Sequence, residues 1–208
     1  QLLSMDAGDL LPPELAAILA GLRADARPMP MSQVVRAMEQ SFGPGWEKAF
    51  RRFSFTPMAA ASIGQVHAAI THGERHLALK IQYPGIRQSI DSDVDNVATL
   101  LRISRLLPDE LALEPLLQEA KRQLHEEADY LLEAGHMRRF AVALEESPEF
   151  MVPGVDQDLT RKNILAMDFL EGEPIESLAT ASQTTRDQVT GLLLQLLFRE
   201  LFEFGMIQ

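Results

Sequence analysis

The sequence has no cysteine among its 208 residues. Disulfides, thiolate metal sites and cysteine nucleophiles are therefore excluded, and the absence fits a reducing compartment. Paired-cysteine and HExxH patterns are missing as well. His72 and His76 are four residues apart, but they straddle a predicted turn and do not share one helix face. We therefore expect no metal site built on histidine or cysteine.

Basic side chains are scarce. There are 19 Lys and Arg against 30 Asp and Glu, which gives a net charge of −11. Affinity for nucleic acids and for anionic membrane surfaces depends on clustered Lys and Arg. The charge balance therefore argues against both as partners of this segment.

Long apolar runs are also absent. The longest stretch without Asp, Glu, Lys or Arg covers 53–73, and it contains proline, glycine, glutamine and histidine, which lipid would not tolerate. The first residue is Gln1, and no signal segment follows it. We expect a soluble piece of a longer protein, located in the cytoplasm or on a membrane that faces a reducing compartment. Any membrane contact would be made by parts outside this chain.

The composition that remains is globular, with 46% hydrophobic and 24% charged residues. Apolar periodicity predicts a helix over about 12–22 and another that begins with Ser32 as its N-cap. Three strands follow between Phe53 and Tyr83, with a hairpin turn at 71–74. The later elements are long helices over 86–107 and 113–140, short strands near 150–152 and 163–169, and a helix over 185–204 capped by Gly205. This order predicts an α+β fold with a small antiparallel sheet.

A lysine lies in the middle of the third predicted strand. Apolar and other side chains alternate there, so Lys80 should point away from the row formed by Leu77, Leu79 and Ile81. The segment 59–67 joins two strands with small residues, which allow backbone amides to approach a phosphate closely. A nucleotide site needs such a cation beside such a turn. Two plainer interpretations stay open: a hairpin packed with alanine, and a lysine at the sheet margin with its amine in water.

The second long helix carries four carboxylates within eight residues. Asp129 and Glu133 are four residues apart and share a face, which Glu126 joins. Like charges one turn apart repel each other unless a cation lies between them, so this segment is either a ligand site or a solvated acidic face. Further along, the strand that ends near Met167 opens into a connector whose backbone groups are suited to hydrogen-bond a planar base.

Taken in order, four segments resemble the UbiB/ADCK family of atypical protein-kinase-like proteins. They are AAASIGQVH at 59–67, ALKIQYPGI at 78–86, EADYLLEA at 127–134 and the strand end at 167–172. The resemblance covers essentially the whole chain. It implies a helical extension over 1–50, a kinase-like N-lobe with an inserted helix over 51–172, and the start of a C-lobe over 173–208.

The resemblance also implies a site for ATP or ADP with Mg²⁺. Lys80 would contact the α and β phosphates, and Glu133 would hold this lysine. Glu127 and Asp129 would be the family's ExD pair and would bind a metal ion. The other nucleotide-binding residues implied are Ala59, Ala60, Ala61, Ser62, Ile63, Gly64 and Gln65 of an alanine-rich loop, the gatekeeper Met167, and Asp168, Phe169 and Leu170 of the hinge.

One detail conflicts with a straight helix. Residues 127 and 129 would be about 200° apart around its axis and could not face one ligand together. Either the helix is distorted there, or only Asp129 shares the face of Glu133.

The two ends of the chain resemble parts of longer family motifs. Gln1 would be the last residue of the regulatory KxGQ motif, and residues 204–208 resemble the segment before a DPHPGN catalytic loop that the chain does not contain. The resemblance implies that the chain alone is inactive. The intact protein would be an atypical kinase or ATPase that supports the biosynthesis of ubiquinone or a related isoprenoid quinone, with precursor lipids and other biosynthetic proteins as partners. The alternatives are a non-catalytic, pseudokinase-like scaffold and a lipid-binding module.

Overall fold

The computed structural model describes residues 29–104 and 113–205. The helices are α1 (Met31–Phe42), α2 (Ile86–Ser104), α3 (Leu113–Glu127), α4 (Tyr130–Ala143) and α5 (Gln183–Arg199). The strands are β1 (Phe50–Phe53), β2 (Ala59–Ala61), β3 (Gly64–Thr71), β4 (His76–Gln82) and β5 (Ile164–Asp168). The helix predicted over 12–22 and the predicted regulatory residue Gln1 lie outside the described residues.

The strands form one antiparallel sheet in the order β1-β3-β4-β5, and β2 also pairs with β3. This confirms the predicted α+β class with a small antiparallel sheet. The predicted turn is present between β3 and β4, where the Glu74 amide donates to the Thr71 carbonyl at 3.1 Å. The strand predicted at 150–152 is wrong, because that segment joins no ladder. An isolated bridge between Val155 and Met167 lies a few residues further on.

The sheet has two different faces. The α1 face carries Leu77, Leu79 and Ile81 of β4, all fully buried against Val34, Ala37 and Met38 of α1. Trp46, Phe50, Phe53 and Phe55 extend this cover with edge-to-face ring contacts. The opposite face carries Ala78, Lys80 and Gln82, and we call it the α4 face because Lys80 contacts Glu133 of α4.

Helix α1 begins without the predicted side-chain cap. Its N-cap is Pro30, not Ser32, and the fixed proline φ of −54° already suits the chain entry. The helix ends at Gly43, whose φ of +85° is a conformation that glycine adopts readily.

The helix predicted over 113–140 is two helices. Helix α3 ends at Glu127, and α4 begins at Tyr130 with Asp129 as its N-cap. The Asp129 backbone is extended, and its carboxylate accepts the Leu131 amide at 3.1 Å. A capping aspartate satisfies amides at the start of a helix, which makes the break stable.

Helix α3 lies beside α2, to which it is joined by Lys121–Asp95 and His125–Asp91 contacts at 2.7 and 3.1 Å. Apolar periodicity over a single helix at 113–140 predicts Leu116 and Leu131 on its buried side, but both are about half exposed. The last helix is longer at its start than predicted, because Ser182 caps it by accepting the Thr185 amide. A π-helical turn over Glu200–Phe204 follows, and Gly205 ends it in the left-handed conformation, as predicted. Within the described residues, no helix is long and apolar enough to cross a membrane.

Candidate nucleotide site

The ammonium of Lys80 and the carboxylate of Glu133 form a bidentate ion pair. The Lys80 Nζ atom is 2.8 Å from Glu133 Oε1 and 2.9 Å from Oε2. Lys80 is central in β4, and Glu133 lies in the first turn of α4, where a negative charge also suits the helix dipole. The two side chains are 16% and 29% exposed, so the pair is shielded from bulk water but still reachable. The ion pair predicted from the sequence is therefore present.

A third group contacts the same ammonium. The Lys80 Nζ atom lies 4.9 Å from the centre of the Tyr130 ring. Tyr130 is fully buried and packs with Ile63 and Leu165. Tyr130 was not predicted as a site residue, because a single tyrosine inside an acidic segment carries no signal of its own.

The break between α3 and α4 removes the conflict over Glu127 and Asp129. Glu127 accepts a hydrogen bond from the Ser62 hydroxyl. Asp129 caps α4 and is 3.5 Å from the Arg87 guanidinium. The helix is therefore distorted, but the two carboxylates contact different partners and do not converge. No group of three or more His, Cys, Asp or Glu suited to a metal occurs in the parts of the chain that the structure describes.

The alanine-rich segment is a β-hairpin. Ala59, Ala60 and Ala61 of β2 pair with Val66, Gln65 and Gly64 of β3, so that only Ser62 and Ile63 connect the two strands. A Cβ atom on Gly64 would lie 2.3 Å from the Ile81 carbonyl oxygen, so this position requires glycine. Packing thus accounts for part of the segment, as the plainer interpretation held.

Three side chains predicted in this segment have specific surroundings. Ser62 is bound to Glu127, which ties the hairpin to the end of α3. Ile63 is buried in the cluster around Tyr130. Gln65 lies opposite Ile81 and is 2% exposed, so its side chain is on the α1 face, away from Lys80. Any contact of Gln65 with a nucleotide would have to come from its backbone.

The predicted gatekeeper and hinge continue from β5. Met167 packs beside Tyr130, at the edge of the same apolar cluster. The Asp168 carboxylate binds Arg75 at 2.9 Å, and Arg75 also binds Asp156 at 2.8 Å. The Phe169 amide donates to the His76 carbonyl at 3.0 Å. The Asp168 side chain is therefore fixed at the sheet edge, which leaves backbone groups of the hinge as the means to contact a base.

A cavity of about 380 Å³ lies next to the ion pair. Its lining combines apolar side chains with the two carboxylates of Glu133 and Glu200 and includes Met167. This cavity is continuous with the gatekeeper side of the site, because Glu133 and Met167 belong to both.

A small antiparallel sheet with a strand lysine paired to a helix glutamate is the arrangement of a protein-kinase-like N-lobe. A family model described as the ABC1 atypical kinase-like domain matches residues 21–208. The chain belongs to this family, and the resemblance to UbiB/ADCK proteins is confirmed.

Among curated relatives, the chain is 39% identical over 208 residues to "Atypical kinase COQ8, mitochondrial" of Saccharomyces cerevisiae, covering all of this chain and 42% of that protein. It is 37% identical over 208 residues to "Atypical kinase COQ8B, mitochondrial" of Danio rerio, covering all of this chain and 33% of that protein. The chain thus spans less than half the length of these relatives.

A solved structure has the same fold. It is described as the complex of Rv3197 with erythromycin from Mycobacterium tuberculosis, and it matches with a TM-score of 0.72 and 30% sequence identity. The match covers 96% of this chain and 51% of that chain.

Proposed function

We propose that this chain is the nucleotide-binding lobe of an atypical kinase or ATPase and that it binds ATP or ADP with Mg²⁺. The observation that carries the proposal is the bidentate Lys80–Glu133 pair beneath the β2–β3 hairpin. Phosphoryl-transfer enzymes need a cation held in a fixed position towards the phosphates, and a two-point contact with a helix carboxylate provides it. The alanine-rich hairpin and the hinge backbone at 168–170 would enclose the rest of the nucleotide.

The described residues support the nucleotide part of this proposal better than the metal part. The Glu127 and Asp129 carboxylates bind Ser62 and Arg87, and they do not form a shared ligand set. Their metal role therefore stays a prediction.

The test is calorimetric titration of ATP and ADP into the protein and into its Lys80→Met variant. Hydrogen bonds to a charged group contribute about 1.5–3 kcal/mol, so the dissociation constant for ATP should rise by about 10- to 100-fold. Lys121→Met is the matched control, because Lys121 also forms an ion pair, with Asp95, but lies on α3. Equal ATP affinity in all three proteins, or no binding to the unchanged protein, would contradict the proposal and favour a non-catalytic scaffold.

We further propose that the intact protein supports ubiquinone or related isoprenoid quinone biosynthesis at a bacterial inner membrane or its organelle equivalent. Support comes from the UbiB/ADCK resemblance and from relatives named as mitochondrial COQ8 kinases. The intact gene should restore quinone content in a strain that lacks its own atypical kinase of this family, and the Lys80→Met gene should not. Restoration by both genes would separate the cellular role from the nucleotide site.

A further inference from the structure

Tyr130 is held in place by contacts that do not involve Lys80. It is the first residue of α4, its amide donates to the Lys162 carbonyl at 3.2 Å, and the preceding Asp129 caps the helix. These contacts fix the start of the helix, and the ring is fully buried. The position of the ring is therefore set independently of the lysine above it.

The geometry between ring and lysine is that of a cation–π contact. The Lys80 Nζ atom lies 4.9 Å from the ring centre, within the distance of about 6 Å at which the negative face of an aromatic ring attracts a cation. The Glu133 carboxylate binds the same ammonium through both oxygens. A lysine side chain has four rotatable bonds, and one carboxylate on an exposed helix turn would allow its amine to swing. Two different partners restrict it much more.

The ring acts as a neutral partner. Burial raises the pKa of the Tyr130 hydroxyl, and the charges of Glu133 and Glu127 raise it further, so a phenolate does not form at neutral pH. The buried hydroxyl has no hydrogen bond of regular geometry in the described part of the chain, although the Gln82 side chain lies near it. The aromatic face, and not the hydroxyl, is the feature that the lysine uses.

We propose that Tyr130 is a positioning residue, whose ring face holds the Lys80 ammonium in register with Glu133 so that the amine is preorganised for nucleotide phosphate. This inference rests on the proposed nucleotide function for its purpose, but the contact itself can be tested without nucleotide. The competing explanation is that Tyr130 only fills the apolar cluster beside Ile63 and Leu165. The two explanations differ in what happens to Lys80 when the ring is replaced by an aliphatic side chain.

The first test can be read on the unchanged chain. The chain has four lysines, so selective carbon-13 labelling at lysine Cε gives four signals, and Lys80→Met assigns the one from Lys80. Protons above an aromatic face are shielded. The Lys80 ε-protons should therefore be shifted upfield of those of Lys121, which has no aromatic contact in the structure as described. Tyr130→Phe should keep this shift and Tyr130→Leu should abolish it. Lys80 ε-protons at the position of those of Lys121 in the unchanged chain would overturn the proposal.

The second test measures coupling. In a double-mutant cycle of Lys80→Met and Tyr130→Leu, the unfolding equilibrium constants should deviate from additivity by about two- to fivefold. With Tyr130→Phe in place of Tyr130→Leu, the same coupling to Lys80 should be absent. Additivity within error for Tyr130→Leu would mean that the ring is core filler.

The third test concerns the ligand. Tyr130→Leu should weaken ATP binding by about two- to fivefold relative to adenosine, and Tyr130→Phe should leave this ratio unchanged. An equal loss for ATP and adenosine would overturn the positioning role, because general loosening of the lobe affects both. No ATP binding to the unchanged chain would instead overturn the nucleotide function, while the lysine signals would still show whether the ring contact exists. If Tyr130→Leu does not fold, the lysine signals of the unchanged chain and of Tyr130→Phe decide the matter.

Discussion

The two faces of strand β4 use neighbouring residues for different purposes. On the α1 face, Leu77, Leu79 and Ile81 have no exposed surface and belong to one apolar cluster. On the α4 face, Lys80 lies between a carboxylate, an aromatic ring and solvent. One face is closed by packing, and the other is held by a few directed polar contacts. The difference implies that stability and ligand binding can be changed separately by substitutions one residue apart.

The largest expected loss of stability comes from a substitution on the α1 face. Leu79→Ala should lower the free energy of unfolding by about 2–5 kcal/mol, because it removes buried methyl groups and leaves a cavity in a well-packed cluster. The folded fraction should still bind ATP with unchanged affinity. Urea denaturation and calorimetry measure the two quantities. Lys80→Met is the contrasting variant, and an equal loss of stability from both substitutions would break the distinction between the faces.

A smaller loss of stability is expected where the β2–β3 hairpin meets β4. Gly64→Ala should destabilise the protein by about 1–3 kcal/mol, since the new Cβ atom would meet the Ile81 carbonyl, which belongs to the backbone of the central sheet. Gly73→Ala is the matched control at the other hairpin. Its nearest atom would be the Thr71 hydroxyl at 3.8 Å, an ordinary contact. Thermal melts that rank the two variants equally would show that the close approach at Gly64 is relaxed at no cost.

The smallest expected change in stability comes from a polar residue on the α1 face, which is not uniformly apolar. His67 is fully buried there, stacks on Phe53, and contacts the Ser54 carbonyl through Nδ1 at 2.9 Å. Burial lowers its pKa, partly offset by the bond to Ser54, so the folded state holds the ring neutral. The unfolded state then binds the proton more readily. Stability is therefore fully present above the unfolded pKa of 6.5 and is lost as the pH falls below it, by at most about 1.4 kcal/mol per pH unit.

Melting curves between pH 5 and pH 8 measure this dependence. His67→Phe should flatten the profile below pH 6.5. His72→Gln, at an exposed position on the β3–β4 turn, is the matched substitution to compare with it. A profile that stays steep in His67→Phe would assign the acid sensitivity to other groups.

The contrast between the faces also shows what the sequence could predict. Strict alternation in β4 was enough to place Lys80 opposite the aliphatic row, and the motif order was enough to pair it with Glu133. The first inference depends on a local pattern that tertiary packing reinforces, and the second depends on the resemblance to UbiB/ADCK proteins. The wrong strand at 150–152 had no such support, because its apolar residues carry no sign of whether a partner strand is available.

The break between α3 and α4 was only half predicted. The angular conflict between residues 127 and 129 left a distorted helix as one of two alternatives, and the sequence did not show that Asp129 would act as a cap. Aspartate is common both at N-caps and on solvated helix faces, so its role depends on what the next turn packs against. Here that is the sheet, through Tyr130 and Ala134. The roles of Arg75 and Ser62 were missed for a similar reason, since their partners lie 93 and 65 residues away in sequence.

The cap at Asp129 also isolates one part of the molecule from changes in another. In a continuous helix, each inserted or deleted residue rotates everything beyond it by about 100°. Here the helical phase restarts at Tyr130, so a change in the length of the α2–α3 pair would not turn Glu133 away from Lys80. The paired helices can therefore vary in length over evolutionary time, while the strand-to-helix contact at the centre of the lobe keeps its geometry.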